Sequence, residues 1–347
     1  MNRSGRPEVV AITGASGGVG RASAIAFARR GARVGLLARG RAGLEGALRD
    51  VEAAGGQGLV VPTDVTDPDQ VEAAAEAVER RLGPIDVWAN VAMATVFAPV
   101  EKMTADDYRR VTDVTYLGFV HGTLSALRRM RPRDRGTIIQ VGSALAYRSI
   151  PLQSAYCAAK AATRGFTDSL RSELIHDGSR VHITMVQMPG LNTPQFVWGR
   201  SKMPRRAQPV PPVYQPEVAA EAVVWSAHHR RRELWVAPST IKAILAQKIA
   251  PGLGDWLAAK TAYEGQMTDQ PDDPDRPNNL WGPVDTDSDY GAHGPFDAEA
   301  HARSLLFWAD THRGLVSIAA VGLAGLACAA WMRGNGAPRR TSILSGK

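Results

Sequence analysis

The sequence predicts an α/β fold, in which helices flank a doubly wound parallel sheet of about seven strands. Three observations predict this fold. Short apolar runs alternate with helical patterns, a Gly-rich turn joins the first run to the first helix, and a serine ends a later run. A length of 347 residues with 44% hydrophobic residues is ample for one large core and an appendage.

Each predicted strand is a short apolar run followed by a helical pattern or a loop. The predicted strands are 8–13, 33–39, 58–65, 85–90, 136–142, 180–187 and 233–237. The main helical patterns are 21–30, 70–82, 106–130, an Ala-rich segment after residue 143, and 216–229. The sheet domain is therefore complete by residue 240.

The first strand leads directly into a Gly-rich turn and a helix. Gly14, Gly18 and Gly20 are spaced Gly-x-x-x-Gly-x-Gly. Glycine lets the backbone approach a phosphate closely, and the free N–H groups of a helix N-terminus attract an anion. The turn predicts a pyrophosphate site; the alternative is a Gly-rich connection without a ligand.

A second candidate site lies between residues 141 and 167. Ser143 ends the fifth predicted strand, Tyr156 follows thirteen residues later, and Lys160 follows after four more. Residues four apart share a helix face, and a nearby cation lowers the pKa of a phenol from its usual value of about 10. Tyr156 could therefore serve as a general acid or base, with Ser143 holding the reacting oxygen. Alone, the Tyr-x-x-x-Lys pair also fits an ordinary exposed helix.

Together these motifs resemble the short-chain dehydrogenase/reductase family over roughly residues 5–240. The residues that carry the resemblance are 13–20, Asn90, Ser143, Tyr156 with Lys160, and Pro189-Gly190. The resemblance implies a single Rossmann-like domain and an NAD(P)-dependent oxidoreductase that transfers hydride between a nicotinamide and a carbonyl or secondary alcohol. It implies that Lys160 also holds the cofactor ribose.

The resemblance also implies a set of cofactor-binding residues. Asp64 is expected to bind the adenine together with the Val65 backbone, although Asp64 could instead be an N-cap for the following helix. Thr193 is expected near the nicotinamide end. The full set is Gly14, Ser16, Gly18, Val19, Gly20, Arg39, Asp64, Val65, Asn90, Tyr156, Lys160, Pro189, Gly190 and Thr193. No metal site is predicted.

Arg39 decides the predicted cofactor. In dinucleotide folds an acidic residue after the second strand binds the ribose hydroxyls, but here Ala38 and Arg39 occupy that place. A guanidinium suits a 2′-phosphate. NADP(H) is therefore favoured over NAD(H), unless Arg39 is only a surface residue beside Arg41.

Two positions depart from the family pattern. Ala92 stands where the family has a glycine after Asn90, which leaves less room for the cofactor. Thr115 stands where the family has an asparagine that supports a water and proton relay behind the catalytic lysine, and a hydroxyl lacks the reach of an amide. An altered relay is expected. The alternative is a nucleotide-binding regulatory or scaffold protein with little turnover.

The segment 194–214 is predicted to be a lid over the substrate. Its apolar run, Phe196-Val197-Trp198, favours a small apolar substrate. These aromatic side chains could equally serve only to pack the lid.

The net charge of +7 could indicate nucleic acid or an anionic membrane surface. Without a nucleic-acid motif or interleaved aromatics, the cations are assigned to solvated helix ends, and no nucleic-acid partner is predicted. Cys157 and Cys328 do not form a disulfide framework, which favours a reducing compartment. No signal peptide precedes the first strand, so a cytoplasmic catalytic domain is expected.

Residues 241–313 form a predicted extension and linker. The helical stripe at 241–249 is expected to pack on the core, with membrane contact as the alternative. Residues 267–300, rich in Asp, Pro, Gly and Asn, predict a linker or extended arm whose aromatics contact the core or a second subunit. A homodimer or homotetramer is usual in the family.

Residues 314–332 carry no charge and would reach about 28 Å as a helix, close to the thickness of a bilayer core. They predict a transmembrane or membrane-anchoring helix, followed by a basic tail at 333–347; the alternative is a buried C-terminal helix. The positive charges favour a cytoplasmic tail, whereas the cofactor places the catalytic domain in the cytoplasm. A segment lying at the interface would remove this conflict.

Overall fold

The structure is a computed structural model that describes residues 6–273, 275–317 and 331. The strands among these residues are β1 (Val9–Thr13), β2 (Arg33–Ala38), β3 (Gln57–Pro62), β4 (Val87–Asn90), β5 (Val96–Phe97), β6 (Thr137–Ser143), β7 (His182–Met188), β8 (Gly190–Leu191), β9 (Arg200–Ser201), β10 (Arg205–Ala207), β11 (Val213–Tyr214), β12 (Glu233–Trp235) and β13 (Met267–Pro271). The helices are α1 (Gly18–Ala28), α2 (Arg41–Ala53), α3 (Pro68–Leu82), α4 (Ala105–Thr112), α5 (Gly118–Met130), α6 (Ser154–His176), α7 (Gln195–Trp198), α8 (Pro216–His228), α9 (Pro238–Ile249), α10 (Pro251–Leu257) and α11 (Leu305–Thr311).

The central sheet has seven strands in the order β12-β7-β6-β4-β1-β2-β3. All pairings within it are parallel. The strand order reverses between β1 and β4, so a crevice opens at their carboxyl ends, where such sheets place ligands. The predicted α/β fold and its seven strands are confirmed.

Apolar side chains bury both faces of this sheet. All five residues of β1 are buried, as expected for a parallel strand covered by helices on both sides. On one face the core joins Trp88 of β4 to α3, α5 and α6 through Val78, Ala126 and Leu170. Trp88 is fully buried and is the largest side chain of that core.

The helical pattern predicted at 106–130 is three segments in the structure. α4 begins with a capping box between Thr104 and Asp107, a π-helical turn occupies Asp113–Leu117, and α5 follows. A π-turn inserts one extra residue into a helix and often marks a functional site. Here it holds Thr115, which is buried.

The chain divides into two compact units, Met1–Ser304 and Leu305–Lys347. The stretch predicted as a linker or arm lies within the first unit and packs against the sheet domain. Leu280 is fully buried there, and Phe296 packs edge-on against Phe196. We call residues 279–294 the strap, because they run along the rim of the crevice.

The second unit contains α11 and the start of the segment 314–332. Residues 318–330 and 332–347 lie outside the described residues, so most of the predicted membrane segment and the whole basic tail are outside them as well. Among the residues that the structure describes, no helix combines the length and apolarity needed to cross a bilayer.

The basic run at 128–135 is paired with acidic side chains. Arg128 and Arg129 both contact Glu72, and Arg131 contacts Asp177. These hydrogen-bonded arginines lower the pKa of Glu72 to about 2, although burial acts in the opposite direction. The run therefore serves local ion pairs at helix ends.

Candidate active site

A cavity of about 380 Å³ lies at the carboxyl ends of the central strands. It brings together residues that are far apart in the sequence. The predicted site residues that line it are Gly14, Ser16, Gly18, Val19, Gly20, Arg39, Asp64, Val65, Ser143, Tyr156, Lys160, Pro189, Gly190 and Thr193. Two predicted residues, Asn90 and Thr115, do not line it.

The Gly-rich turn has the backbone geometry that an anion site requires. Gly14 and Gly18 have positive φ angles of 69° and 52°. A Cβ at Gly14 would lie 2.8 Å from Ala92 Cα, and one at Gly20 would lie 2.1 Å from the Gly14 carbonyl oxygen. No side chain caps the N-terminus of α1. The turn and the helix N-terminus therefore fit a pyrophosphate group.

Ser143 and Tyr156 meet at one end of the cavity. Ser143 is the last residue of β6, and its Oγ accepts a hydrogen bond from the Leu145 N–H at 3.1 Å. Burial raises the pKa of the Tyr156 phenol above its usual value, and the neighbouring Ser143 hydroxyl opposes that shift. The lowered pKa expected for Tyr156 is therefore not found.

Lys160 lies on α6 and is 2% exposed. Its Nζ donates to the Val141 carbonyl oxygen at 2.7 Å and lies 5.6 Å from the centre of the Tyr156 ring. Burial lowers the pKa of Lys160 to about 7. The expected effect of Lys160 on the pKa of Tyr156 fails for this reason, since burial disfavours the charged form of both side chains.

Thr115 does not reach Lys160. Its Oγ1 donates to the Ala94 carbonyl oxygen and accepts from the Ala94 N–H, both at 2.9 Å. A hydroxyl has one proton to donate, and that proton is used here. The side chain joins the π-turn to the loop after β4, and the altered relay expected at Thr115 stays a prediction.

Asn90 is buried inside the sheet domain, away from the cavity. Its Oδ1 accepts from Trp88 Nε1 at 2.9 Å, and its Nδ2 donates to Gln140 Oε1 at 2.9 Å and to Thr123 Oγ1 at 3.1 Å. A fully paired amide of this kind connects β4, β6 and α5. The Asn90 side chain thus has a structural role, and its predicted part in cofactor binding stays a prediction.

Asp64 lies at the opposite end of the cavity from Ser143. Its carboxylate accepts from the Thr66 N–H at 3.0 Å and pairs with Arg110 at 3.0 Å. Burial alone would raise the pKa of Asp64, but these bonds outweigh it and the pKa is lowered. The N-cap of α3 is Asp67, so the alternative role of Asp64 as that cap is wrong.

Arg39 contacts the strap. Its Nη1 donates to the Trp281 carbonyl oxygen at 3.1 Å and its Nη2 to the Asn279 carbonyl oxygen at 2.5 Å. Burial lowers the pKa of Arg39. The guanidinium that the sequence predicts to bind a phosphate therefore already donates to two neutral acceptors.

The lid and the substrate end of the cavity are mainly apolar. Phe196 packs against Phe97 with ring centres 5.8 Å apart, and Trp198 packs against Tyr290 at 5.2 Å. Apolar side chains that line the same cavity as Ser143 and Tyr156 include Leu145, Ile150, Met188, Leu191, Phe196 and Val210.

Sequence reasoning missed several residues that line the cavity. Arg148 lies near Ser143 and pairs with Asp255 at 2.7 Å, while Asn279 and Asp285 come from the strap. No motif marks them, because they belong to loops whose position depends on distant contacts. The only sequence signal was the acidic, Pro-rich composition of the strap.

The sequence from 8 to 202, more than half of the chain, matches the family described as short chain dehydrogenase. The chain belongs to the short-chain dehydrogenase family. It is thus an oxidoreductase of a family that uses nicotinamide cofactors, as the resemblance implied. The relatives include an uncharacterised oxidoreductase, YxnA, of Bacillus subtilis, 30% identical over 321 residues that cover 91% of this chain and 88% of the relative.

Other similar proteins share less of the chain. A fatty acyl-CoA reductase of Acinetobacter baylyi is 29% identical and covers 72% of this chain and 82% of its own length. A Burkholderia phymatum enzyme solved with NAD has a TM-score of 0.65 at 21% identity, covering 71% of this chain and 95% of its own. An alcohol dehydrogenase from Thermococcus sibiricus, solved with 5-hydroxy-NADP, has a TM-score of 0.57 at 25% identity, covering 66% and 96%.

Proposed function

We propose that this protein catalyses hydride transfer between a nicotinamide cofactor and an apolar carbonyl or secondary alcohol. The observation that carries the proposal is the meeting of Ser143, Tyr156 and buried Lys160 in one cavity with a Gly-rich anion site. A bound nicotinamide nucleotide would supply or accept the hydride.

The residues of the chain supply the proton and hold the reacting oxygen. In the reduction direction, Ser143 donates a hydrogen bond to the carbonyl oxygen and polarises it. Tyr156 donates its proton to the same oxygen, and oxidation reverses this transfer. Because burial raises the pKa of Tyr156, the phenol keeps its proton at neutral pH and is ready to act as the acid.

The residues that line the cavity are suited to the parts of a dinucleotide. Gly14, Gly18, Val19 and Gly20 would hold the pyrophosphate, since no side chain caps the N-terminus of α1, although the Gly18 N–H itself donates to the Gly291 carbonyl oxygen. The remaining predicted residues would hold the two nucleoside ends: Ser16, Arg39, Asp64 and Val65 at the adenosine end, and Tyr156, Lys160, Pro189, Gly190 and Thr193 at the nicotinamide end.

The proposal is tested by turnover of the full chain with NADH or NADPH against a panel of aldehydes and ketones. Tyr156→Phe should lower kcat by about a thousandfold or more, because the phenolic proton is lost, while cofactor binding by fluorescence titration persists. Tyr263→Phe changes an exposed phenol and is the matched control. Equal loss in both variants, or none in Tyr156→Phe, would rule out the assigned role.

An apolar substrate is favoured by the side chains beside Ser143. Each methylene of a substrate chain that is buried there contributes about 0.8 kcal/mol, or roughly fourfold in kcat/KM. A series of aliphatic ketones of increasing length should show this rise. The Arg148 guanidinium at this end is paired with Asp255, so its charge is already balanced.

The preference for NADP(H) over NAD(H) rests on Arg39 and stays a prediction. Its support is the permanent charge of a side chain that lines the adenosine end. The two carbonyl acceptors of Arg39 weaken that support. The two solved relatives hold NAD in one case and 5-hydroxy-NADP in the other, so they do not choose between the cofactors.

A nucleotide-binding regulatory protein with little turnover is the second candidate. Two observations favour it. The Thr115 hydroxyl donates to the Ala94 carbonyl oxygen, and the hydrogen bond described for the Lys160 ammonium goes to the Val141 carbonyl oxygen. Tight cofactor binding with no turnover across a broad panel would support this candidate.

Three further predictions concern where the protein lies in the cell and how it assembles. Membrane association through 314–332, a homodimer or homotetramer, and a cytoplasmic catalytic domain all stay predictions. Fractionation of cells that express the full chain, compared with a chain ending at residue 313, tests the first. Light scattering of the purified protein tests the second.

A further inference from the structure

The strap closes the adenosine end of the cavity. The Arg110 Nε donates to the Leu280 carbonyl oxygen at 2.9 Å, and its guanidinium lies 5.7 Å from the ring centre of Trp281. Asn279 is also held, because its N–H donates to the Trp198 carbonyl oxygen at 2.9 Å. The first turn of the strap is thus attached to both the sheet domain and the lid.

The middle of the strap caps α2. That helix has no side-chain cap, but its Ala42 and Gly43 N–H groups donate to the carbonyl oxygens of Thr286 and Asp285, each at 3.1 Å. These are two of the first N–H groups of the helix, which need an acceptor from outside it. Asp285 is therefore held in position by a hydrogen bond to its own carbonyl oxygen as well as by the one to Thr286.

The end of the strap is held by charge. Arg21, which is 6% exposed, forms ion pairs with Asp289 of the strap and with Asp50. The next glycine, Gly291, accepts a hydrogen bond from the Gly18 N–H at 3.3 Å. The strap is thus fixed on both sides of Asp285.

The Asp285 carboxylate is the unexplained group in this arrangement. It is 7% exposed and lines the cavity, and no hydrogen bond or ion pair joins it to another residue that the structure describes. It lies against the backbone just after β2, with Oδ1 1.8 Å from where a Cβ at Gly40 would stand and Oδ2 2.4 Å from one at Gly43. Those two glycines leave the space that the carboxylate occupies.

The end of β2 is where a dinucleotide fold places the carboxylate that binds the ribose hydroxyls of the adenosine. In this chain β2 ends at Ala38 and Arg39 follows, so the strand itself offers no carboxylate. Asp285 lies at that place, beside Ser16, and comes from the opposite end of the sequence. Its free acceptor oxygens match two hydroxyl donors.

We propose that Asp285 is the specificity-determining residue for the cofactor: its carboxylate accepts hydrogen bonds from the adenosine ribose hydroxyls and repels a 2′-phosphate. The inference rests on the proposed function, since it assigns the adenosine end of the same cavity. It reverses the preference predicted from Arg39, and the enzyme selects NAD(H). Arg39 instead holds the strap through the Asn279 and Trp281 carbonyl oxygens.

The test uses two fragments that differ only in the 2′-phosphate, 5′-AMP and adenosine 2′,5′-bisphosphate. Their affinities for the full chain are measured by calorimetry, without turnover. The unmodified protein should bind 5′-AMP about tenfold or more tightly than the bisphosphate, because a buried carboxylate opposes the added charge. Asp285→Asn should reduce that ratio about tenfold, chiefly by tightening the bisphosphate. Asp287→Asn, an exposed strap residue, is the matched control and should leave the ratio unchanged.

Arg39→Ala separates the two roles considered for Arg39. In the Asp285→Asn protein it should weaken the bisphosphate, since the guanidinium then becomes the partner of the phosphate; in the unmodified protein it should not change the fragment ratio. Thermal melting shows that each variant is folded.

The outcomes separate this inference from the proposed function. If both fragments bind and Asp285→Asn leaves their ratio unchanged, the role of Asp285 is overturned and the nucleotide site stands. If the unmodified protein prefers the bisphosphate, the role is overturned as well, and Arg39 is the phosphate ligand. If neither fragment binds, both the inference and the proposed function fail.

Discussion

The two ends of the cavity differ in how far apart in the sequence their residues lie. At the nicotinamide end, Ser143, Tyr156 and Lys160 lie on β6 and α6, two consecutive elements inside the sheet domain. At the adenosine end, Arg39 and Asp64 follow β2 and β3, but the wall opposite them is the strap. The first end is held by the core, whereas the second depends on contacts between residues far apart in the sequence. Changes at the first should therefore alter catalysis, and changes at the second should alter cofactor binding.

The largest effect is expected at the nicotinamide end, from Lys160→Met. Loss of the ammonium should lower kcat/KM by roughly a hundredfold or more, since Lys160 is assigned to the proton-transfer site. The affinity for 5′-AMP should stay within about twofold of the unmodified value. Lys248→Met, which changes an exposed side chain of α9, is the control. An equal loss of fragment affinity would show that the two ends do not act separately.

Lys160 should also make stability depend on pH. Burial lowers its pKa from 10.5 to about 7 in the folded protein, so between pH 7 and 10 the unfolded chain binds more protons. Stability relative to Lys160→Met should therefore rise with pH across that window, by at most about 1.4 kcal/mol per pH unit. Urea unfolding of both proteins at pH 6, 8 and 10 measures this, and a constant difference would argue against the buried ammonium.

At the adenosine end, Arg110→Met removes one guanidinium from three hydrogen-bond partners. Asp64 loses its ion pair, and the Thr66 hydroxyl and the buried Leu280 carbonyl oxygen each lose a donor. The free energy of unfolding should fall by about 2 kcal/mol, since each partner is left less satisfied. Denaturant unfolding measures the loss, with Arg109→Met, an exposed neighbour on α4, as control. The two variants should differ; equal stability would mean that Arg110 does not hold the strap.

Asp289→Asn should have a smaller effect, confined to the cofactor. It weakens the strap anchor on Arg21, which keeps its pair with Asp50. Affinity for 5′-AMP should fall about threefold to tenfold, because the wall of the site is less fixed. Catalysis at saturating cofactor should change little. A large fall in kcat with unchanged affinity for 5′-AMP would contradict this prediction.

The smallest effect is expected at Thr115, where serine and asparagine should have different consequences for turnover and stability. Serine keeps the hydroxyl that bonds Ala94, so turnover should stay within about twofold. Asparagine restores the residue type usual in the family but adds volume at a buried position, and should cost about 1–3 kcal/mol of stability. An increase in turnover with Thr115→Asn would instead show that the proton relay behind Lys160 depends on the residue at position 115.

The same contrast explains what the sequence could predict. The seven strands, the Gly-rich turn and the grouping of Ser143, Tyr156 and Lys160 follow from local patterns and short spacings. The partners of Asn90 and Thr115 do not, because a buried amide or hydroxyl bonds whichever group the fold brings near. The acceptors of Arg39 could not be predicted for a related reason, since they are carbonyl oxygens of the strap.

The strap itself was predicted only as a linker or extended arm. Its composition indicated neither a path nor a partner, and Asp285 is one of many acidic residues in that stretch. Its position depends on the N-terminus of α2, on Arg21 and on Arg110, all in the first third of the chain. Long-range contacts of this kind leave no periodicity or spacing in the sequence.

The central claim is that one nucleotide cofactor binds between the Gly-rich turn and the strap. Amide hydrogen exchange of the full chain, with and without NAD, tests it most directly. Exchange should slow in both residues 14–20 and residues 279–294 when NAD is added, while α10, which has no buried residue and does not line the cavity, stays unchanged. Protection of the Gly-rich turn alone, with unchanged or faster exchange in the strap, would contradict the account.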